Sequence, residues 1–407
     1  MKRILFLTTI LTFLLAACQQ KDMLWTTPEV EEEAAARWAK SAQEHLAFLD
    51  YNYTQNVPRY LLVAEVEKPV VNHAKAALGR VLFYDKSLSR NSDVSCASCH
   101  KQMRAFADSA GFSMGTGGQL MSRQSLPLNY TVNFRQHHRS WNTEEAPRLM
   151  WDGRATSLEE VMQMAITHPR EMNMTLPEVM ERIRSKDFYL HLWQKAFGHA
   201  EPKASEMLEA LSQFVGAMSA HRTRFDELME LHAGNPRATI DTVRHFYYGP
   251  IDIIVTPPRG FTLSEFRGMQ LFSTHCSPCH SPIRRFQEVF EACNGLEVEY
   301  EDQGKGKVTG NPKDNGVFKS LPLRNIGLTA PFMHDGRFKT MAEVIDFYST
   351  GIKPHPNLHP LLRNPNGSPK QMNFSAQNKQ DLINFIKILT DFDAGGDVRF
   401  SDPLRRR

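Results

Sequence analysis

The chain has 407 residues, a formal net charge of +3 and 23% charged residues. That length is enough for two or three domains and a sizeable core. The near balance of charge argues against nucleic acid as a principal partner.

Lys2 and Arg3 precede an apolar run from Ile4 to Leu15. The charged start and the short run read as a signal peptide, too short for a comfortable membrane span. The run ends Leu15-Ala16-Ala17-Cys18, which looks like a bacterial lipobox. On that reading the chain is cut before Cys18, whose thiol takes a lipid and anchors the protein to a membrane. The alternative is an ordinary signal peptide cut near Ala17. Residues 18–68 then hold a tether and, from Pro28 to Phe48, an amphipathic helix with Trp38, Ala42, His45 and Leu46 at helical spacing.

A helix is expected over about His73 to Phe83, leading to Cys96-Ala97-Ser98-Cys99-His100. C-x-x-C-H is the attachment pattern of a c-type haem. Two thiols add to the vinyl groups at one porphyrin edge, and the adjacent imidazole binds the iron. The pattern recurs at Cys276-Ser277-Pro278-Cys279-His280. Zinc half-sites or a redox C-x-x-C are the alternatives, and the His that ends each motif argues against them. Cys96, Cys99, Cys276 and Cys279 are thereby assigned to haem and Cys18 to lipid, which leaves Cys293 as a free thiol without a role. Covalent haem also fits a mature chain outside the cytoplasm, in the periplasm.

Gly111 to Gly118 is a glycine-rich loop that permits close backbone approach to a ligand. Without a strand before it and a helix after, it is not read as a phosphate cradle. Trp151-Asp152-Gly153-Arg154 precedes a helix capped by Ser157 with Glu160, and a loop from Thr167 to Met172 leads to a second capping box, Thr175 with Glu178. Ala204 to Leu231 reads as one long helix, and Gly234 to Pro258 as a linker. Thr262 with Glu265 caps the next helix, in which Gly268-x-x-Leu271-Phe272 repeats Gly79-x-x-Leu82-Phe83. Gly304 to Gly316 reads as a flexible loop, and Thr340 with Glu343 caps a last motif-bearing helix ended by Gly351. With no run of alternating strands, the class is mainly α. Two cytochrome-c-like haem domains are expected in tandem, over 69–233 and 262–393. A signal peptide (1–17), the tether and helix (18–68), a linker (234–261) and a basic tail (394–407) complete the chain.

Leu78-Gly79-Arg80 through His100, Trp151-Asp152-Gly153-Arg154-Ala155, Pro169-x-Glu171-Met172 and Leu323-Arg324-Asn325 through Gly336 together resemble the bacterial dihaem cytochrome c peroxidases. That family includes the dihaem enzyme that completes the tryptophan-derived quinone of methylamine dehydrogenase. The resemblance runs from about residue 69 to 393. It implies an N-terminal haem where peroxide is reduced to water and a C-terminal haem that feeds it electrons. The donor would be a small cytochrome c, a cupredoxin or a quinol; assembly as a homodimer is left open. Glu171 matches the family's acid–base carboxylate, against the plainer reading of a solvated loop residue. Trp151 matches the tryptophan between the haems, which is also compatible with simple core packing.

The departures from the family pattern carry information. The position of a His that caps the first haem in many members is held here by Thr116, a poor iron ligand, so an open haem is expected unless Met114 reaches the iron. Val161 stands where the family has Gln. Tyr348, fourteen residues after His334, falls where the second haem's distal ligand is usually Met; the quinone-forming branch also has Tyr, and a core tyrosine is the alternative. A phenolate would lower that haem's potential relative to Met. The resemblance also carries a calcium ion onto Gln124, Thr329 and Pro331, with Gln replacing the usual Asn. A protein-modifying oxidase and a pure electron-transfer cytochrome remain as rival functions.

Overall fold

The computed structural model describes residues 50–58, 60, 70–128, 148–218, 222–233, 257, 259–281 and 291–404. The signal peptide, Cys18, the helix expected over Pro28 to Phe48 and nearly all of the expected linker lie outside the described residues. The described chain is mainly helical: α1 (His73–Tyr84), α2 (Cys96–Cys99), α3 (Leu158–Thr167), α4 (Leu176–Arg184), α5 (Asp187–Phe197), α6 (Ala204–Ala217), α7 (Arg224–Ala233), α8 (Leu263–His275), α9 (Ser277–His280), α10 (Lys305–Thr309), α11 (Met341–Asp346) and α12 (Ala376–Ile388). One antiparallel pair of two-residue strands, β1 (Glu291–Ala292) and β2 (Phe318–Lys319), is the sheet among these residues. No described helix is long and apolar enough to cross a membrane.

Two helix pairs organise the chain, α1 against α6 and α8 against α12. Each crosses at the repeated glycine. A β-carbon on Gly79 would lie 2.0 Å from the Ala210 carbonyl oxygen, and one on Gly268 would lie 1.9 Å from that of Asp381. Only glycine admits so close a crossing. Around the first pair, Leu78, Val81, Leu82 and Phe83 pack with Leu211, Phe214 and Val215. Around the second, Phe266, Met269 and Phe272 pack with Leu382, Phe385 and Ile386. The helix starts follow the sequence: Ser157 accepts from Glu160 N–H, Thr175 from Glu178, Thr262 from Glu265 and Thr340 from Glu343.

The long helix expected over Ala204 to Leu231 is instead two, α6 and α7. Thr223 begins the second, its N–H and hydroxyl donating to Asp226 at 2.9 and 2.7 Å. Asp226 is thereby aimed inward at Arg324, 2.8 Å away, and Tyr60 donates to it as well. Burial would raise this carboxyl, but the Arg324 charge and hydrogen bonds hold it low. A straight helix would forfeit that buried ion pair. Gly304 to Gly316 holds α10 and a hydrogen-bonded turn rather than a loose loop. Lys305 N–H bonds Val317 O, Gly316 N–H bonds Gln303 O, and the Tyr300 ring covers Gly316.

The segment read as a basic tail lies, as far as Leu404, on the first helix pair. Arg80 donates to Ser401 O and Tyr84 to Phe400 O, both at 2.6 Å, while Phe400 is buried against Tyr53, Phe106 and Phe214. Overpacking typically costs ~1–3 kcal/mol. Gly79→Ala and Gly268→Ala are therefore expected to unfold at lower denaturant than wild type, whereas Gly396→Ala, with open space around it, is not. Unchanged midpoints for both crossing variants in a denaturant titration would contradict the crossing.

Candidate functional site: two Cys-x-x-Cys-His centres

α2 places Cys96 and Cys99 one helical turn apart. It starts at Ser95, whose N–H donates to Ser98 Oγ at 3.0 Å, and His100 N–H closes it onto Cys96 O at 2.9 Å. The His100 ring then bonds the Phe106 carbonyl through Nδ1, at 2.8 Å. At the second motif α9 continues from α8, and His280 Nδ1 lies 2.7 Å from the Leu321 carbonyl. A carbonyl only accepts, so Nδ1 carries the proton and Nε2 keeps its lone pair outward, as a metal-ligating imidazole requires. Burial lowers the pKa of both rings and keeps them neutral. Among the described residues no cluster of three or more His, Cys, Asp or Glu side chains is gathered as a metal cage. Two thiols and an imidazole held through Nδ1 at each motif fit covalent haem.

Beside the first motif, two loops pack backbone to backbone. A β-carbon on Gly115 would lie 1.8 Å from Arg170 O, and Thr116 N–H donates to Glu171 O at 2.8 Å. Glycine here brings the Gly111–Gly118 loop against the Glu171 loop. The Thr116 hydroxyl is committed to Asp93 at 2.7 Å and is buried. The Met114 side chain is 58% exposed, while its carbonyl lies beside Cys99. The Glu171 carboxyl is half-buried. Burial pushes it up to about 7, against the pull of the Arg154 charge, and His168 Nδ1 stands 3.9 Å away. Its charge reaches both motif thiols and, after burial, helps to raise Cys96 to about 12 and Cys99 to about 11. Val161 is half-buried against the first core.

Beside the second motif stands Tyr348, in a π-turn (Phe347–Gly351) that follows α11. The wide turn rotates Tyr348 off the face of Ile345 and into a smaller cluster with Leu296, Met333 and Phe347. Burial pushes its hydroxyl up to about 12, with smaller effects from Asn294, which lowers it, and from Cys279 and Cys276, which raise it. The Tyr348 hydroxyl is therefore near enough to the second thiol pair to feel its charge. Asn294 Nδ2 donates to the Tyr348 oxygen at 3.4 Å.

Trp151 is bonded to both halves of the chain. Its Nε1 donates to Gln124 O at 2.9 Å, its carbonyl accepts from Lys319 N–H at 2.8 Å, and its ring meets His334 edge-on at 6.5 Å. Arg123 clamps Asp152 at 2.7 Å and Asp302 at 2.6 Å across the same junction. Gln124, Thr329 and Pro331 do converge. As arranged, however, the Gln124 amide nitrogen donates to both carbonyls, that of Thr329 at 3.1 Å. This is a clasp that ties the two segments together. Sequence reasoning missed Asp93, Arg123 and Asn294, which act across long sequence separations with no local motif.

The di-haem cytochrome c peroxidase family model matches residues 73–233. Methylamine utilization protein MauG of Methylorubrum extorquens is 30% identical over 363 residues, 88% of each chain. Cytochrome c551 peroxidase of Nitrosomonas europaea is 28% identical over 282 residues, 68% of this chain and 72% of that one. Among solved structures, a MauG-like protein associated with microbial copper homeostasis superposes with a TM-score of 0.66 at 26% identity, covering 88% of this chain and 99% of that one. The chain belongs to the di-haem cytochrome c peroxidase family, an oxidoreductase family acting on peroxide whose cofactors are two haem c groups. A pyridine haemochrome assay should accordingly give two haems per chain, and Cys276→Ala with Cys279→Ala should remove one of them; one haem in the wild type would contradict the assignment.

Proposed function

We propose that this chain reduces hydrogen peroxide to water at the Cys96–His100 centre, with electrons entering from an external donor at the Cys276–His280 centre. The observation that carries this reading is Glu171, a half-buried carboxyl poised near neutrality beside the first motif. Bound haem supplies the redox chemistry of oxygen–oxygen cleavage. Glu171 does the proton work. As carboxylate it takes the proton of the near peroxide oxygen, and as acid it returns it to the leaving oxygen. A group that titrates near about 7 can do both. Arg154 opposes the effect of burial and keeps part of the carboxyl ionised. Trp151, joined to both halves by hydrogen bonds, is the relay between the centres.

Two cytochrome units in tandem, 69–233 and 262–393, belong to the same reading and are supported by the paired glycine crossings. So do export to the periplasm, a lipid on Cys18, and a cytochrome c, a cupredoxin or a quinol as donor. A calcium ion on Gln124, Thr329 and Pro331 belongs to it only as what the family resemblance implies. A second reading, oxidation of a partner protein's side chain, draws support from Tyr348 beside the second motif, since a phenolate there stabilises the more oxidised iron. A pure electron carrier would need a second strong ligand at both centres. At the first centre the Thr116 hydroxyl is bonded to Asp93, which supports an open iron there.

Glu171→Gln should keep both haems and lose peroxide turnover by roughly a hundredfold to ten-thousandfold. In the wild type, turnover should fall as pH drops below about 7, because protonation removes the base, and the variant should lack that step. Activity within a few-fold of wild type would reject the role. Tyr348→Phe should change the spin state of the second haem and raise its potential; an unaltered spectrum would assign that iron another ligand.

A further inference from the structure

Cys293 is a buried thiol that the function above does not use. Its Sγ lies 3.4 Å from His355 Nδ1 and 3.8 Å from the Tyr300 hydroxyl. His355 Nδ1 also accepts from Asn357 N–H at 3.0 Å, so that nitrogen is unprotonated, and it takes the thiol proton only by giving up that bond. The Tyr300 ring covers Gly316 and meets the half-exposed His355 ring edge-on at 5.1 Å.

Two connected paths lead from this cluster to the haem centres. In one, the Tyr300 hydroxyl donates to Asn294 Oδ1 at 3.3 Å, and Asn294 Nδ2 donates to the Tyr348 oxygen. In the other, Tyr300 lies 6.0 Å from Phe318, which stacks on His334 at 3.9 Å, and His334 meets Trp151. Tyrosine and cysteine are the readily oxidised side chains at the end of both paths.

We propose that Tyr300, Cys293 and His355 form a redox outlet. When no donor arrives, they return electrons to the centre that peroxide has oxidised and leave the oxidation on Cys293. The inference rests on the peroxidase reading above. Hydrogen peroxide takes two electrons and two protons to become two waters. Cys293 and one water supply both, the electrons passing by way of Tyr300 and the thiol proton leaving to His355, and Cys293 ends as a sulfenic acid. The balance is thiol plus hydrogen peroxide giving sulfenic acid plus water. Because burial keeps the thiol protonated, direct attack on peroxide is slow, and the route through the protein is the faster one.

The test treats the ferric holoenzyme with stoichiometric peroxide without donor, traps sulfenic acid with dimedone, and reads the Cys293 peptide by mass spectrometry alongside the haem spectrum. The expected result is label on Cys293, lost when cyanide holds the first haem and lost in Tyr300→Phe. That variant keeps the ring over Gly316 and should turn over normally when donor is supplied. A haem spectrum that responds while Cys293 stays unlabelled overturns the outlet. So does label that survives cyanide or Tyr300→Phe, because peroxide then attacks the thiol directly. A haem spectrum that does not respond at all overturns the peroxidase reading and the outlet with it.

Discussion

The architecture depends on two helix crossings that tolerate no side chain. At Gly79 and at Gly268 the opposing backbone comes so near that a β-carbon would overlap a carbonyl oxygen. Each crossing fixes a helix whose far end leads into Cys-x-x-Cys-His. α1 reaches its motif through a short connection, and α8 through Cys276, which caps it. Because each helix is fixed by its crossing, the following histidine can find a carbonyl for Nδ1, Phe106 O in one case and Leu321 O in the other. Those bonds decide which ring nitrogen is offered to the iron.

The two centres share that geometry and differ in what surrounds it. The first faces a backbone-packed pair of loops that carries Glu171, shifted toward neutrality by burial. The second faces a phenol turned inward by a π-turn. Polar clasps hold the centres in register: Arg123 between Asp152 and Asp302, Gln124 between the Thr329 and Pro331 carbonyls, and Arg324 with Asp226 and Tyr60. The C-terminal segment returns to the first helix pair through Phe400 and Ser401. The chain therefore closes on itself, and the junction that carries Trp151 is braced from several sides.

What the sequence revealed was local. The haem motifs, the repeated Gly-x-x-Leu-Phe and the capping boxes at Ser157, Thr175, Thr262 and Thr340 each announce themselves within a few residues, and the helices start where those caps stand. The break between α6 and α7 was not legible, because it serves an ion pair with Arg324, far along the chain. Nor was the fate of Thr116, whose hydroxyl is taken up by Asp93, or the chain of contacts from Tyr348 through Asn294 to Cys293. Such contacts join residues that no periodicity relates. The reading of Cys293 as a thiol without a role came from counting cysteines, which says nothing of a histidine sixty-two positions later.

We propose that the first centre is open and the second closed by Tyr348. Electron paramagnetic resonance of the resting, fully ferric protein tests it most directly. With Thr116 bonded to Asp93 and Tyr348 beside the second motif, the spectrum should contain one high-spin signal, which changes on first mixing with peroxide, and one low-spin signal. A wholly low-spin spectrum, silent to peroxide until the protein is half reduced, would contradict the account, because a side chain would then cap the first iron.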